Sequence, residues 1–147
     1  MLKDLTNEKL VCLNIEARDW KEAIYKSAEP LLLAGKIKKS YIEAIINTIE
    51  ETGPYIVITK NVALPHARAE YGAIESAIGI ATLKKPVCFG SEENDPVKYI
   101  FCLSAHDNTS HLMALADLTA LLERKDFYKM LDQAQSASEI ISYINNL

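Results

Sequence analysis

Apolar positions along the chain switch between two periods. From Leu10 to Leu13 they run almost unbroken, which predicts a short strand. Beyond Asp19, the residues Trp20, Ala23, Ile24 and Leu31 fall at helical spacing, with Asp19 and Glu22 as a capping box and Gly35 as the stop. A second helix is expected from Ser40, with Glu43 completing another capping box. Tyr41, Ala44, Ile45, Thr48 and Ile49 form its inward stripe, and Gly53-Pro54 ends it. Tyr55 to Ile58 is rich in strand formers, and Thr59-Lys60-Asn61 reads as a turn in which Asn61 suits the left-handed conformation. Val62 to Leu64 resumes as a strand, held extended by Pro65. Ser76 to Leu83 is a further strand, followed by a loop containing Pro86, Gly90 and Pro96. Lys98 to Leu103 is nearly all apolar, as expected for a strand covered on both faces. The remainder is helical: Ser110 to Leu122, Asp126 to Gln133 and Ser136 to Asn145, with Ser136 and Glu139 as a third capping box.

Helices thus precede and follow a block of strands. The economical arrangement is an α/β fold, a three-layer α/β/α sandwich with a mixed central sheet. A length of 147 residues, without an internal repeat or a low-complexity linker, fits a single domain over 1–147. With 49% hydrophobic and 24% charged residues, the chain has the makings of a core that needs no staples. The net charge of −4 and the lack of any basic run argue against a nucleic-acid partner. Cys12, Cys88 and Cys102 form no CxxC pair and sit among apolar neighbours, so all three are expected to be buried, reduced thiols. The first residues have no secretory pattern and no apolar run reaches the length of a membrane span. A cytoplasmic location is expected.

Candidate chemistry centres on three histidines. His66 follows a short strand and a proline, in Ala63-Leu64-Pro65-His66-Ala67-Arg68, while His106 and His111 join the most apolar strand to a helix. In α/β sheets, sites gather where strand ends meet helix starts. With Ser110 or Thr109 as the cap, His111 lies in the first helical turn, where free N–H groups and the dipole favour an anion such as phosphate and disfavour an imidazolium. A neutral His66 is then able to attack phosphorus while Arg68 and the helix terminus hold the oxygens. No metal is needed if the donor is already activated. The plainer alternatives are that His66 and His106 are solvated loop residues, Arg68 a surface charge beside Glu70, and Asp107 a turn or capping residue. His106, Asp107 and His111 do not make a convincing metal set, since the histidines are five apart and neither HExxH nor CxxC accompanies them. GxSxG, P-loop and GxGxxG motifs are missing as well.

Several pieces follow one another in a fixed order: Val62-Ala63-Leu64-Pro65-His66, Lys85-Pro86-Val87-Cys88-Phe89-Gly90, Asn94-Asp95-Pro96-Val97, then Phe101 to Ala105, Asp107, and His111 opening a Leu-rich helix. Over roughly residues 5 to 147 this series resembles the enzyme IIA components of the bacterial phosphoenolpyruvate-dependent sugar phosphotransferase system, mannitol/fructose class. Gly53-Pro54-Tyr55-Ile56-Val57-Ile58 and the Ala67-Arg68 that follows His66 look most like the ascorbate-specific branch. The resemblance implies that His66 is phosphorylated by the phosphocarrier protein HPr and passes the group to a cysteine of a cognate enzyme IIB, which serves a membrane enzyme IIC. It implies that His111 supports the phosphoryl group and that no cofactor takes part; with no fused IIB or membrane segment in the sequence, the partners are expected to be separate chains. The mannitol branch carries an arginine late in the second helix, where this chain has Ile49, Glu50 and Glu51; Arg68 is the candidate for the missing cation. Two other readings stand beside this one: a phosphorylation-dependent regulator of the nitrogen-related type, and a binding module in which His66 is incidental.

Overall fold

The computed structural model describes residues 2–147. The strands are β1 (Val11–Ile15), β2 (Val57–Thr59), β3 (Val62–Ala63), β4 (Ala77–Val87) and β5 (Val97–Ser104). The helices are α1 (Trp20–Leu33), α2 (Lys39–Thr52), α3 (Asn108–Leu122), α4 (Lys125–Gln133) and α5 (Ala137–Asn145). The sheet order is β1-β4-β5-β3-β2. β1 runs parallel to β4 and β3 parallel to β5, while β4–β5 and β2–β3 are antiparallel. The sheet is therefore mixed, as the sequence predicts.

Period-two alternation sends side chains to two cores. From β4 and β5, Ala77, Ala81, Leu83, Ile100 and Cys102 join Ile24, Leu31, Tyr41 and Ile45 of α1 and α2. Their alternates Ile78, Ile80, Phe101 and Leu103 join Leu118, Phe127, Leu131, Ile140 and Ile144 of α3, α4 and α5. Helices cover both faces, which completes the three-layer α/β/α sandwich. β5 lies in the middle of the sheet and is buried almost end to end, which explains its unbroken apolar composition. Among the described residues, no helix is long and apolar enough to cross a membrane.

The structure corrects several local expectations. Ser40 does not cap α2, which starts after Lys38; the Ser40 hydroxyl instead donates to the Tyr71 carbonyl at 2.7 Å. The Asp19 carboxylate accepts the Glu22 N–H at 2.9 Å, but Glu22 turns to Arg18 rather than closing the box. At α5 the reciprocal bond is present, with Glu139 accepting the Ser136 N–H at 3.1 Å. The strand expected at Tyr55 to Ile58 is Val57–Thr59, and Asn61 adopts φ 68° at the turn. β4 continues through Pro86, which had the look of a loop residue; its ladder with β5 is irregular between Thr82 and Val87, where a residue without an N–H is tolerated. Beyond it, the Asp95 carboxylate gathers the N–H groups of Phe89, Gly90 and Ser91 at 2.8–2.9 Å and shapes the loop. Of the cysteines, only Cys102 is fully buried; Cys12 is half-buried and Cys88 is exposed, contrary to expectation.

Candidate functional site

β3 is only two residues long, but its parallel pairing with β5 decides where the chain goes next. Val62 and Ala63 pair with Tyr99 and Ile100, and the Leu103 N–H then donates to the Pro65 carbonyl at 2.9 Å. Two parallel strands end at the same edge of a sheet. The end of β3 therefore delivers His66 to the edge where β5 releases the chain into α3. Asp107 caps that helix, its carboxylate accepting the Ser110 N–H at 2.7 Å. The sequence had suggested Ser110 or Thr109 as cap. Asp107 moves the start upstream, so that His111 N–H makes the first intrahelical bond, to the Asp107 carbonyl at 3.1 Å.

His66 and His111 come together, with ring centroids 5.6 Å apart. The His66 Nδ1–H donates to the Leu64 carbonyl at 2.6 Å, since a carbonyl can only accept. In the neutral ring this leaves the lone pair on Nε2. Burial holds the His66 pKa below its ordinary value, the Leu64 bond opposes that, and neighbouring His111 adds to it. The ring is thus kept as a free base with one nitrogen committed and one available.

The two histidines share a cleft of about 450 Å³ with Thr48, Tyr55, Arg68, Tyr71, Asp107 and Asn108. Arg68 supplies the positive side chain among the described residues lining this cleft. It is largely exposed and lies 3.6 Å from Glu70, so both of its predicted associations are possible from one position. In the upstream stretch, Ile49 is buried in the core as its place in the inward stripe implies, Glu50 pairs with Lys21 at 3.2 Å, and the α2 residue on the cleft is Thr48. The Thr48 hydroxyl donates back to the Ala44 carbonyl at 2.8 Å. His106 does not join the other histidines on the cleft. Its Nε2 lies 2.8 Å from Asp107 and its Nδ1 2.8 Å from the Ser76 hydroxyl. Hydrogen bonds from the Ser110 backbone and hydroxyl lead in holding the Asp107 carboxyl below the usual carboxylate range.

Two tyrosines that sequence reading left out complete the surroundings. The Tyr55 hydroxyl donates to the His66 carbonyl, and its ring meets the His66 ring edge-on at 5.3 Å. Burial raises its phenol to about 12, so it remains a donor. Tyr41 reaches the same segment from α2 through Ala67. For Tyr41 the available signal was its place in an inward-facing helical stripe, because a buried hydroxyl requires partners.

Because the folded His66 pKa lies below that of the unfolded chain, a titration has a defined sign. Its imidazole resonances should show half-protonation below pH 6.5. Its contribution to stability should be fully present above that value and be lost as pH falls through the folded pKa. A His66 titration at or above pH 6.5 would contradict the burial seen here.

A family model described as "Phosphoenolpyruvate-dependent sugar phosphotransferase system, EIIA 2" matches residues 4–147. The ascorbate-specific PTS system EIIA component of Escherichia coli (strain K12) is 31% identical over 142 residues, 96% of this chain and 92% of that one. The solution structure of the mannitol-specific cryptic phosphotransferase enzyme IIA CmtB from Escherichia coli matches with TM-score 0.86 at 36% identity, over 97% of this chain and 98% of that chain. The Escherichia coli complex of enzyme IIAMtl with phosphorylated enzyme IIBMtl contains the same fold, with TM-score 0.83 at 21% identity over 97% and 98% of the two chains.

Proposed function

This chain belongs to the enzyme IIA 2 family of the phosphoenolpyruvate-dependent sugar phosphotransferase system, and from that premise we propose that it relays a phosphoryl group through His66. Phospho-HPr is the donor and the cysteine of a cognate enzyme IIB the acceptor, in the service of ascorbate-type sugar uptake through a membrane enzyme IIC. The observation that carries the reading is the bond from His66 Nδ1–H to the Leu64 carbonyl, which turns a basic Nε2 toward a cleft containing His111 and Arg68.

The chemistry follows from that arrangement. The Nε2 lone pair forms a bond to phosphorus as the donor's N–P bond breaks and the donor imidazole leaves with the electron pair. The His66 ring gains positive charge, which the Leu64 carbonyl stabilises through Nδ1–H. In the second step a thiolate attacks, the Nε2–P bond breaks and the neutral imidazole is restored. Charge spread over the three oxygens is met by the start of α3, by His111 and by Arg68.

Incubation with labelled phosphoenolpyruvate, enzyme I and HPr tests the reading. The label should appear on His66 and be discharged faster by an ascorbate-type IIB than by a mannitol-type IIB. A label that no IIB removes would favour a regulatory role, and an unlabelled chain would end the proposal. Arg68 has its own test. Arg68→Gln should accept the group from phospho-HPr more slowly and bind inorganic phosphate more weakly. Unchanged kinetics would mean that Arg68 is no more than a partner of Glu70, an exposed pair of small consequence.

A further inference from the structure

Tyr41 belongs to the inward stripe of α2, and only 1% of it is exposed. Its hydroxyl finds its partners outside that helix. Oη accepts the Ala67 N–H at 3.1 Å and donates to the Leu103 carbonyl at 2.7 Å, with the Ala67 carbonyl also within 3.2 Å. The Leu103 N–H in turn donates to the Pro65 carbonyl at 2.9 Å. Both neighbours of His66 are thereby tied to Leu103, Pro65 directly and Ala67 through the phenol. Leu103 sits near the end of β5, from which the chain runs through Ala105 to the Asp107 cap and on to His111.

We propose that Tyr41 is a positioning residue for phosphoryl transfer: its hydroxyl fixes the segment carrying His66 against the strand end that leads to His111, and so sets the spacing of the two imidazoles. The inference rests on the reading of His66 as the acceptor. Burial raises the phenol pKa well above the ordinary tyrosine value, so the hydroxyl keeps its proton and its two roles at working pH. Tyr55 holds the His66 carbonyl, and Leu64 holds the ring. Tyr41 adds the link between the acceptor segment and the helix opposite. Transfer between nitrogen and phosphorus requires near in-line alignment, and a misplacement of about 1 Å can cost on the order of a hundredfold in rate.

Tyr41→Phe keeps the ring in the core while leaving the Ala67 N–H without this acceptor and the Leu103 carbonyl without this donor. The folded fraction is measured by urea denaturation, and phosphoryl acceptance is followed over a range of phospho-HPr concentrations. The expected result is a maximal rate per folded molecule lowered by about 10- to 100-fold. The half-saturating concentration should remain unchanged, because Tyr41 does not reach the surface. A residue that only stabilised the fold would shift the denaturation midpoint and leave that rate alone. Should Tyr41→Phe fail to fold, lactic acid in place of Ala67 removes the N–H that Tyr41 accepts and also weakens the His66 carbonyl held by Tyr55; a fall in rate larger than that of Tyr55→Phe, which loses only the latter bond, is expected. A normal rate in the folded variant, or in the ester a fall no larger than that of Tyr55→Phe when the variant does not fold, overturns the inference. Labelling of the parent chain keeps the two ideas apart. No label on His66 there would overturn the relay and this inference together, whereas normal labelling with an unimpaired variant would remove Tyr41 alone.

Discussion

A folded His66→Ala chain is expected to take up no phosphoryl group from phospho-HPr. Among the described residues, the other histidine on the cleft is His111, whose ring centroid lies 5.6 Å from that of His66. His111 is poorly suited to replace it. An imidazole that bonds to phosphorus gains positive charge, and His111 stands in the first turns of α3, beside the positive end of the helix dipole. His66 has a carbonyl partner for that charge, and among the described residues His111 has none. The fold should tolerate the change. His66 is half-buried at the rim of the cleft and belongs to neither hydrophobic cluster, so the loss amounts to about one hydrogen bond, on the order of 1 kcal/mol. Circular dichroism and urea denaturation check the fold, and labelled phosphate with acid and base treatment checks the chemistry. The parent adduct should be a phosphoramidate, labile in acid and stable in base. Full labelling of folded His66→Ala, or an acid-stable label on the parent, would point to a different acceptor.

The second large effect is expected at His111. His111→Ala should slow transfer by a hundred- to a thousandfold, which corresponds to about 2.7–4 kcal/mol of transition-state stabilisation. As the phosphoryl group loosens from one nitrogen before reaching the next atom, charge on its oxygens rises, and a donor across the cleft gains strength with it. The resting adduct benefits less, so the extent of labelling should change less than the rate. Passage to the IIB cysteine should suffer most, because in that step the group leaves His66. Rapid-quench measurement of both half-reactions checks this. Normal rates in both directions would reduce His111 to a residue of a helix start, leaving the anion to the backbone and Arg68.

Much of this was legible in the sequence, for identifiable reasons. The central strand could be read because β5 is covered on both faces, so its burial is written into continuous apolar composition. Asn61 could be read because few residues other than glycine tolerate its φ of 68°. Boundaries were less visible where one side chain outcompeted another. Ser40 looks like a cap until Tyr71 is brought within reach across the fold. Pro86 looks like a loop residue unless the irregular pairing opposite it is known. His66 and His111 were visible as a pair through the resemblance of their motifs, yet their proximity depends on β3 lying parallel to β5, a long-range pairing that no local pattern encodes. Tyr41 and Tyr55 went unassigned because their hydroxyls act on backbone groups 62 and 11 residues away, which only the fold brings within reach.

The capping of α3 by a carboxylate has a consequence for energetics. A neutral cap such as serine would leave a cleft with a cation, a helix terminus and no fixed negative charge. Such a cleft would form a deep trap for a dianion. Asp107 places a carboxylate on the same wall, opposite in sign to Arg68. An intermediary between two protein partners works in both directions only if its own loaded state lies close in free energy to the states before and after it. On the proposed relay, a partly self-opposing wall makes the well shallow, so that the relative loading of the neighbours, rather than storage at His66, is expected to set the direction of flow.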